Sequence, residues 1–328
     1  MGPLLIGVDL GGTNVRMGIV TPEGVVLKKI EYDTPISEGR LALLKGLVSH
    51  LKDLIRKDLN SFHPWIGIGV AGSIDRERGV IAHSPNLQDL EGFGLRDFLS
   101  KKISHPIVIE NDANAFTLGE GWMGAARGSK HYCGITLGTG VGGGIVVEGR
   151  ILHGKEGIAG EVGHMVIEPK GLACGCGGRG CLEVYASGTG IKRMALEAMK
   201  IGKGKGILKW SRSDFKKITP EDIFKAAQAG DSIAKEIFKE MGGYLGLGLV
   251  NLIHLFNPEK IVIGGKVAKA WDFFIGKTME TIQERSMKGP RDQAEIVQAK
   301  CGDEAGILGA AYAALKEGIE DCRLRIAD

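Results

Sequence analysis

Net charge is almost absent from this chain: 42 Lys and Arg against 39 Asp and Glu leave +3, too little to argue for a nucleic-acid partner. The amino terminus lacks a basic segment ahead of an apolar core, and Asp9 interrupts the first hydrophobic run. Neither a signal peptide nor a membrane anchor is expected, and the cytoplasm is the predicted location. No G-x-x-x-x-G-K-[ST] occurs, which argues against a P-loop ATPase. Low-complexity tracts and recognisable linkers are missing as well, so any domain boundary has to be inferred from the elements. Cysteine is sparse, six in 328 residues, and in a long cytosolic chain that favours metal or redox chemistry over disulfides.

What is abundant is glycine. The 52 glycines cluster, and glycine is usually spent on turns, positive φ or close backbone approach to a ligand, so the clusters read as binding loops. With 43% apolar and 25% charged residues, the composition is that of a globular protein, and the length suggests about two domains able to enclose a small ligand.

Residues 4 to 33 alternate as strand, glycine turn and strand, and the pattern predicts a β-meander. Apolar positions at helical spacing predict a helix over residues 40 to 59, and Trp65 to Val70 reads as a strand. A second strand, Ile107-Val108-Ile109, runs through Glu110-Asn111-Asp112 into a helix-compatible stretch reaching Leu118. Residues 132 to 153 restate the opening device, with Gly138-Thr139-Gly140-Val141-Gly142-Gly143-Gly144 as the turn. Residues 221 to 256 are helical in pattern with a break at Gly230-Asp231; Ile261-Val262-Ile263 ends in Gly264-Gly265, and Ala305 to Glu317 reads as a closing helix.

Backbone N–H groups converging from glycine turns can hold a phosphate chain without a lysine cradle, and a pair of such loops would clamp one nucleotide. The first is Asp9-Leu10-Gly11-Gly12-Thr13, with Asp9 a carboxylate for hydrated Mg²⁺ and Thr13 a hydroxyl donor. The second runs from Gly138 to Gly144, with Thr139 as the hydroxyl donor. Either alone is equally a tight β-turn. Gly138-x-Gly140-x-x-Gly143 also fits a dinucleotide fingerprint, but a hairpin pattern follows where that motif needs a helix. Asp112 is the carboxylate available to accept a hydroxyl proton in phosphoryl transfer, but by its place before Ala113-Asn114-Ala115 the residues alone favour a helix cap. His164, Cys174, Cys176 and Cys181 form H-x9-C-x-C-x4-C among glycines, the donor set of a closed structural zinc site. Cys133, Cys301 and Cys322 show no ligand spacing.

Taken together, these motifs resemble the ROK family of bacterial sugar kinases and sugar-responsive repressors over essentially the whole chain. Asp9-Leu10-Gly11-Gly12-Thr13-Asn14 and Gly138 to Gly144 are similar to its two phosphate motifs, Glu110 to Ala115 to its catalytic segment, and Gly160-Glu161-Val162-Gly163-His164 with Cys174 to Glu183 to its zinc signature. The resemblance implies an actin-like ATPase (ribonuclease H-like) α/β fold with two lobes around a central cleft. A small lobe of residues 1–112 would be completed by a helix over 305–328, with a large zinc-bearing lobe over 113–304.

The resemblance further implies ATP-dependent phosphorylation of a hexose 6-hydroxyl, glucose first, with Asp112 as base. N-acetylmannosamine or fructose is the alternative substrate, and a non-catalytic sugar-responsive regulator the alternative role. Gly72, Asn86, Asn111, Glu161, His164 and Glu183 would join Asp112 around the sugar. Asp9, Gly11, Gly12, Thr13, Gly138, Thr139, Gly140, Gly142, Gly264 and Gly265 would hold the nucleotide, although Lys266 stands where the family usually has a small residue. The expected cofactors are ATP, Mg²⁺ and structural Zn²⁺, and a homodimer or homotetramer is the expected assembly. A first strand starting at Leu4 argues against a preceding DNA-binding module. The basic stretch Lys200 to Lys217 reads as a solvated insertion or extended helix, or as a lid over an anionic nucleotide.

Overall fold

The computed structural model describes residues 4–56, 62–210 and 214–327; Arg212 of the basic stretch and the side chain of Cys322 lie outside the described residues. The chain opens with the expected meander, β1 (Leu4–Leu10), β2 (Asn14–Val20) and β3 (Val26–Asp33), followed by α1 (Arg40–Ile55) and β4 (Phe62–Val70). A short hairpin, β5 (Ser73–Asp75) and β6 (Val80–His83), precedes α2 (Leu95–Ile103), β7 (Ile107–Asn111) and α3 (Asp112–Trp122). Next come β8 (Tyr132–Leu137), β9 (Val141–Val147) and β10 (Arg150–Ile151), then α4 (Glu183–Ala186), α5 (Gly188–Lys200), α6 (Lys205–Leu208), α7 (Pro220–Gln228) and α8 (Ser232–Phe256). β11 (Lys260–Gly264), α9 (Trp271–Arg285), α10 (Lys288–Gln293), β12 (Glu295–Gln298) and α11 (Ala305–Ala327) close the order.

The repeated strand-and-glycine device builds the same sheet twice. One sheet has the order β3-β2-β1-β4-β7 and the other β10-β9-β8-β11-β12. In the first, β1 pairs antiparallel with β2 and parallel with β4, which pairs parallel with β7. In the second, β8 and β12 flank β11 in parallel, and β10 returns antiparallel on β9. The β9–β10 turn places Glu148 (φ 52) and Gly149 (φ 72) in the left-handed region, as a two-residue type I′ hairpin requires.

Alternation along β1 sends Ile6, Val8 and Leu10 into a core with α1 and α2, through Leu43, Leu47, Leu51, Leu95 and Leu99. The opposite face belongs to α11, where Ile307, Leu308 and Ala311 pack with Leu5 and Val20. On that face a Cβ at Gly7 would collide with the carbonyl of Ile307, and one at Gly67 of β4 with that of Ala310. Helices α3 and α11 meet in the same way, Gly309 lying against the carbonyl of Ala115. Part of the glycine surplus therefore serves close helix packing, whereas the sequence reading assigned the clusters to binding loops.

The chain divides into two compact units, Met1–Ser129 with Gly144–Gly160 and Ala299–Asp328, and Lys130–Gly143 with Glu161–Gln298. The division expected after residue 112 falls at the start of α3, inside the first unit, because α3 packs on α11. Buried Glu120 of α3 accepts backbone N–H groups from Lys300 and Cys301 at 2.8 to 3.0 Å and so fastens the stretch leading into α11. In the second unit the helical stretch breaks as expected: α7 opens with a Thr219–Asp222 capping box and Pro220, and Asp231 caps α8 through the Ala234 N–H. The basic stretch is neither one extended helix nor a bare loop, since α5 ends at Lys200 and the short α6 follows two glycines at positive φ.

Candidate active site and metal centre

In the first unit, Gly11 and Gly12 turn β1 into β2. The Gly11 N–H reaches the Asn14 carbonyl at 3.1 Å, and the Thr34 hydroxyl bonds the Gly11 carbonyl at 2.7 Å. A Cβ on Gly12 would lie 2.5 Å from Cβ of Asn86, so glycine is what lets the phosphate-type turn and the Ser84-Pro85-Asn86 loop touch. That loop is built on buried Ser84, whose hydroxyl bonds the Ala71 carbonyl and accepts the Leu87 N–H at 3.1 Å. Gly72, at φ 139, passes so close to the His83 carbonyl that a side chain would collide with it.

Asp9 points to the α11 face and lies against Gly306, with Arg16 at 3.7 Å. Burial pushes its carboxyl up to about 6 despite the opposing pull of Arg16. The folded chain therefore holds a proton that the unfolded chain, at 3.8, has already released, and folding stability falls as pH rises through that window. The cost approaches about 3 kcal/mol above the folded value. In metal-free buffer, Asp9→Asn is expected to melt above the parent near pH 8 and level with it below about pH 4, a difference readable by calorimetry.

The β7–α3 junction separates the two readings of Asp112. Asn111 is the cap: its backbone is extended (φ −64, ψ 146) and its Oδ1 accepts from the N–H groups of Ala113 and Asn114 at 2.9 and 3.0 Å. Asp112 is the first helical residue, and the cap alternative is corrected by one position. Asn111 Nδ2 donates to the Gly72 carbonyl at 2.9 Å and to Asp112 Oδ1 at 3.2 Å, so each end of the Asn111 amide is engaged within the protein. Preceding them, Glu110 is buried; burial opposes its ionised form, but hydrogen bonds from His153 and Asn114 and the Arg76 charge outweigh it and keep the carboxyl below its ordinary range. His153 carries no sequence signal for this role, since its partner lies 43 residues away.

In the second unit, the Gly138–Gly144 turn is strapped to the start of α5: the Gly188 N–H reaches the Gly138 carbonyl at 2.8 Å, and the Thr189 hydroxyl reaches the Thr139 carbonyl at 2.8 Å. Glu183 Oε2 accepts the Val141 N–H at 3.0 Å and fills the space a Cβ on Gly140 would need. Gly265, at φ 89, packs on the backbone of Leu137, and Gly264 pairs with Thr136. The second phosphate-type turn and the Gly264-Gly265 turn thus leave neighbouring strands at the same end. Gly163 of the Glu161–His164 segment lies against the Val141 carbonyl, which brings that segment to the start of β9.

His164, Cys174, Cys176 and Cys181 offer ligand atoms all within 4.8 Å of one another. His164 Nδ1 lies 3.7 Å from Cys174 Sγ, and the sulfurs of Cys176 and Cys181 are 3.7 Å apart. Bridges Val166↔Cys181 and Ala173↔Arg179 fold the loop, with Gly177 and Gly180 at positive φ. Backbone N–H bonding at Gly178 draws the Cys176 thiol down, while burial and the neighbouring thiols push Cys181 up to about 12. Three thiolates packed this closely would carry a charge that a cation balances, and with one imidazole they complete a tetrahedron without an open position.

Among the described residues, no helix is long and apolar enough to cross a membrane. The profile of the ROK family matches residues 5–317. The chain is 40% identical to a glucokinase of Thermotoga maritima over 94% of its own length and 96% of that protein. It is 32% identical to a xylose repressor of Caldicellulosiruptor bescii, covering 93% of this chain and 76% of the repressor. Among solved structures it resembles a ROK family glucokinase from Streptomyces griseus in complex with glucose and AMPPNP, at 32% identity and a TM-score of 0.81, over 95% of this chain and 99% of the other. The fold is accordingly the actin-like α/β fold, with its two five-stranded sheets. Because the match runs through the segments of both units and not through one motif, the chain belongs to the ROK family.

Proposed function

We propose that this chain is an ATP-dependent hexose kinase acting on the 6-hydroxyl, with glucose as substrate and Asp112 as base. The observation that carries the reading is the first turn of α3, where Asn111 does the capping and orients Asp112 through an Nδ2 hydrogen bond to its Oδ1 at 3.2 Å. The likeness to the Thermotoga maritima glucokinase, and to a structure that holds glucose and an ATP analogue, supports the substrate pair. In the step, the 6-hydroxyl oxygen bonds to the γ-phosphorus, the bond from that phosphorus to the bridging oxygen breaks, ADP keeps the electron pair, and the hydroxyl proton passes to Asp112.

Hexose hydroxyls alternate donor and acceptor, which Asn86, Glu161, His164 and Glu183 can match, with Gly72 contributing backbone; Asn111 would join them by exchanging one of its Nδ2 bonds for a sugar hydroxyl. Gly11, Gly12 and Thr13, together with Gly138, Thr139, Gly140 and Gly142, would hold phosphates through N–H and hydroxyl groups, and Gly264 and Gly265 would take the adenosine. Asp9 would hold hydrated Mg²⁺, which neutralises charge on the transferring phosphoryl. Zn²⁺ held by His164, Cys174, Cys176 and Cys181 would brace the turn that carries Glu161 and the helix start that carries Glu183.

The likeness to a xylose repressor favours a second reading, a sugar-responsive regulator. A coupled assay of ADP release with Mg-ATP across hexoses and N-acylhexosamines separates the two. Selective turnover of glucose is the expected result; preference for N-acetylmannosamine or fructose replaces the substrate, and sugar binding without turnover across the panel overturns the kinase reading.

A further inference from the structure

Glu110 is only 2% exposed, and a carboxylate at that depth stays ionised only with close partners. Its Oε1 accepts the Asn111 N–H at 3.0 Å and Asn114 Nδ2 at 2.9 Å. Those residues are the cap of α3 and its third helical position, so one oxygen spans the first turn of the helix. Its Oε2 meets Nε2 of His153 at 2.7 Å and Nε of Arg76 at 3.6 Å. His153 comes from the segment after β10 and Arg76 from the turn after β5. Nη1 of Arg76 lies 3.0 Å from Nδ1 of His153. A guanidinium can only donate, so Nδ1 presents its lone pair and the ring proton sits on Nε2, donated to Glu110. Arg76 is steadied in turn by Glu317 of α11 at 3.5 Å.

We propose that His153 and Glu110 are positioning residues for Asp112, an inference that rests on reading Asp112 as the base. His153 fixes the Glu110 carboxylate, Glu110 fixes the cap and third residue of α3, and Asn111 Nδ2 then sets Asp112 Oδ1 at 3.2 Å. Displacing a catalytic carboxylate by about 1 Å costs up to about a hundredfold in rate, which a structural clamp without catalytic consequence would not produce.

The test compares His153→Phe, which cannot donate to Glu110, with His153→Gln, whose amide can return one N–H. His153→Phe is expected to lower kcat about ten- to hundredfold with hexose KM within about threefold, and His153→Gln to recover most of the loss. The Asp112 carboxyl ¹³C resonance, assigned by its disappearance in Asp112→Asn, is expected to shift in the Phe variant and return in the Gln variant. A lowered melting temperature with kcat and resonance both unchanged would overturn the proposal. If the parent protein turns over no hexose, the kinase reading falls separately and the resonance decides: moved and restored, the positioning stands; unmoved, it fails.

Discussion

Asp112→Asn is expected to bind hexose within a few-fold of the parent and to lose about 10²- to 10⁴-fold in kcat, the span a positioned general base supplies. The substitution is close to isosteric, and Asn111 rather than Asp112 carries the cap, so the helix start survives it. What the fold loses is one negative charge in the first turn of α3, worth about 0.3 to 1 kcal/mol. The barrier rises by at least about 2.7 kcal/mol, since each tenfold is 1.36 kcal/mol. Turnover and stability therefore part company: ADP release collapses while the melting temperature moves by a few degrees at most. Calorimetric titration with glucose supplies the binding half of the comparison. Turnover within tenfold of the parent would remove Asp112 from the chemistry and return it to being the first residue of a helix.

Withdrawal of the metal is the second large effect. Three sulfurs and an imidazole within 4.8 Å gain little from one another when uncharged and repel as thiolates, so the loop's folding free energy would depend on a cation held among them. Comparable closed zinc sites bind with about 10 to 16 kcal/mol in small peptides, and losing even a third of that is comparable to a domain's whole stability. Chelation is expected to release one zinc per chain by elemental analysis, to lower the melting temperature sharply, and to raise hexose KM. The last follows from the proposed site, because the cluster adjoins Val162–His164 and the start of α4, where Glu183 accepts the Val141 N–H and is proposed to meet the sugar. Cys176→Ala is the cleaner variant, since Cys176 is exposed and its loss opens no core cavity, unlike Cys181, which is 2% exposed. Complete metal removal with unchanged melting and unchanged hexose affinity would show that the cluster does not hold the loop.

Where the pattern was local, the sequence was readable. Strand alternation interrupted by Gly11-Gly12 and by Gly138 to Gly144 announced β1–β2 and β8–β9, and Gly230-Asp231 marked the break between α7 and α8. The His–Cys spacing likewise converged as expected. At the β7–α3 junction, two residues of capping type stand side by side, and only the extended backbone of Asn111 says which one caps. β12, the half-exposed edge strand Glu295–Gln298, has no alternation strong enough to read. Gly7, Gly67 and Gly309 fall within elements the pattern already placed, but their packing role was not legible because a sequence does not reveal which backbone will approach another. The His153–Glu110 pair was invisible for the same reason, its partners being brought together only by tertiary folding.

The first unit's three-segment construction bears on how the protein is made. Its sheet, formed from residues 4 to 111, has α1 and α2 available early on one face, but the face holding Leu5, Gly7 and Gly67 waits for α11. As the chain leaves the ribosome, nearly two hundred residues must pass between α3 and the helix that covers it, at about 5 to 20 residues per second. For the order of ten seconds or more a glycine-rich, apolar sheet face stands open to nascent neighbours, the kind of exposure that chaperones acting during synthesis shield. The second unit's helical body lies within Glu161–Gln298 and can settle before that wait ends.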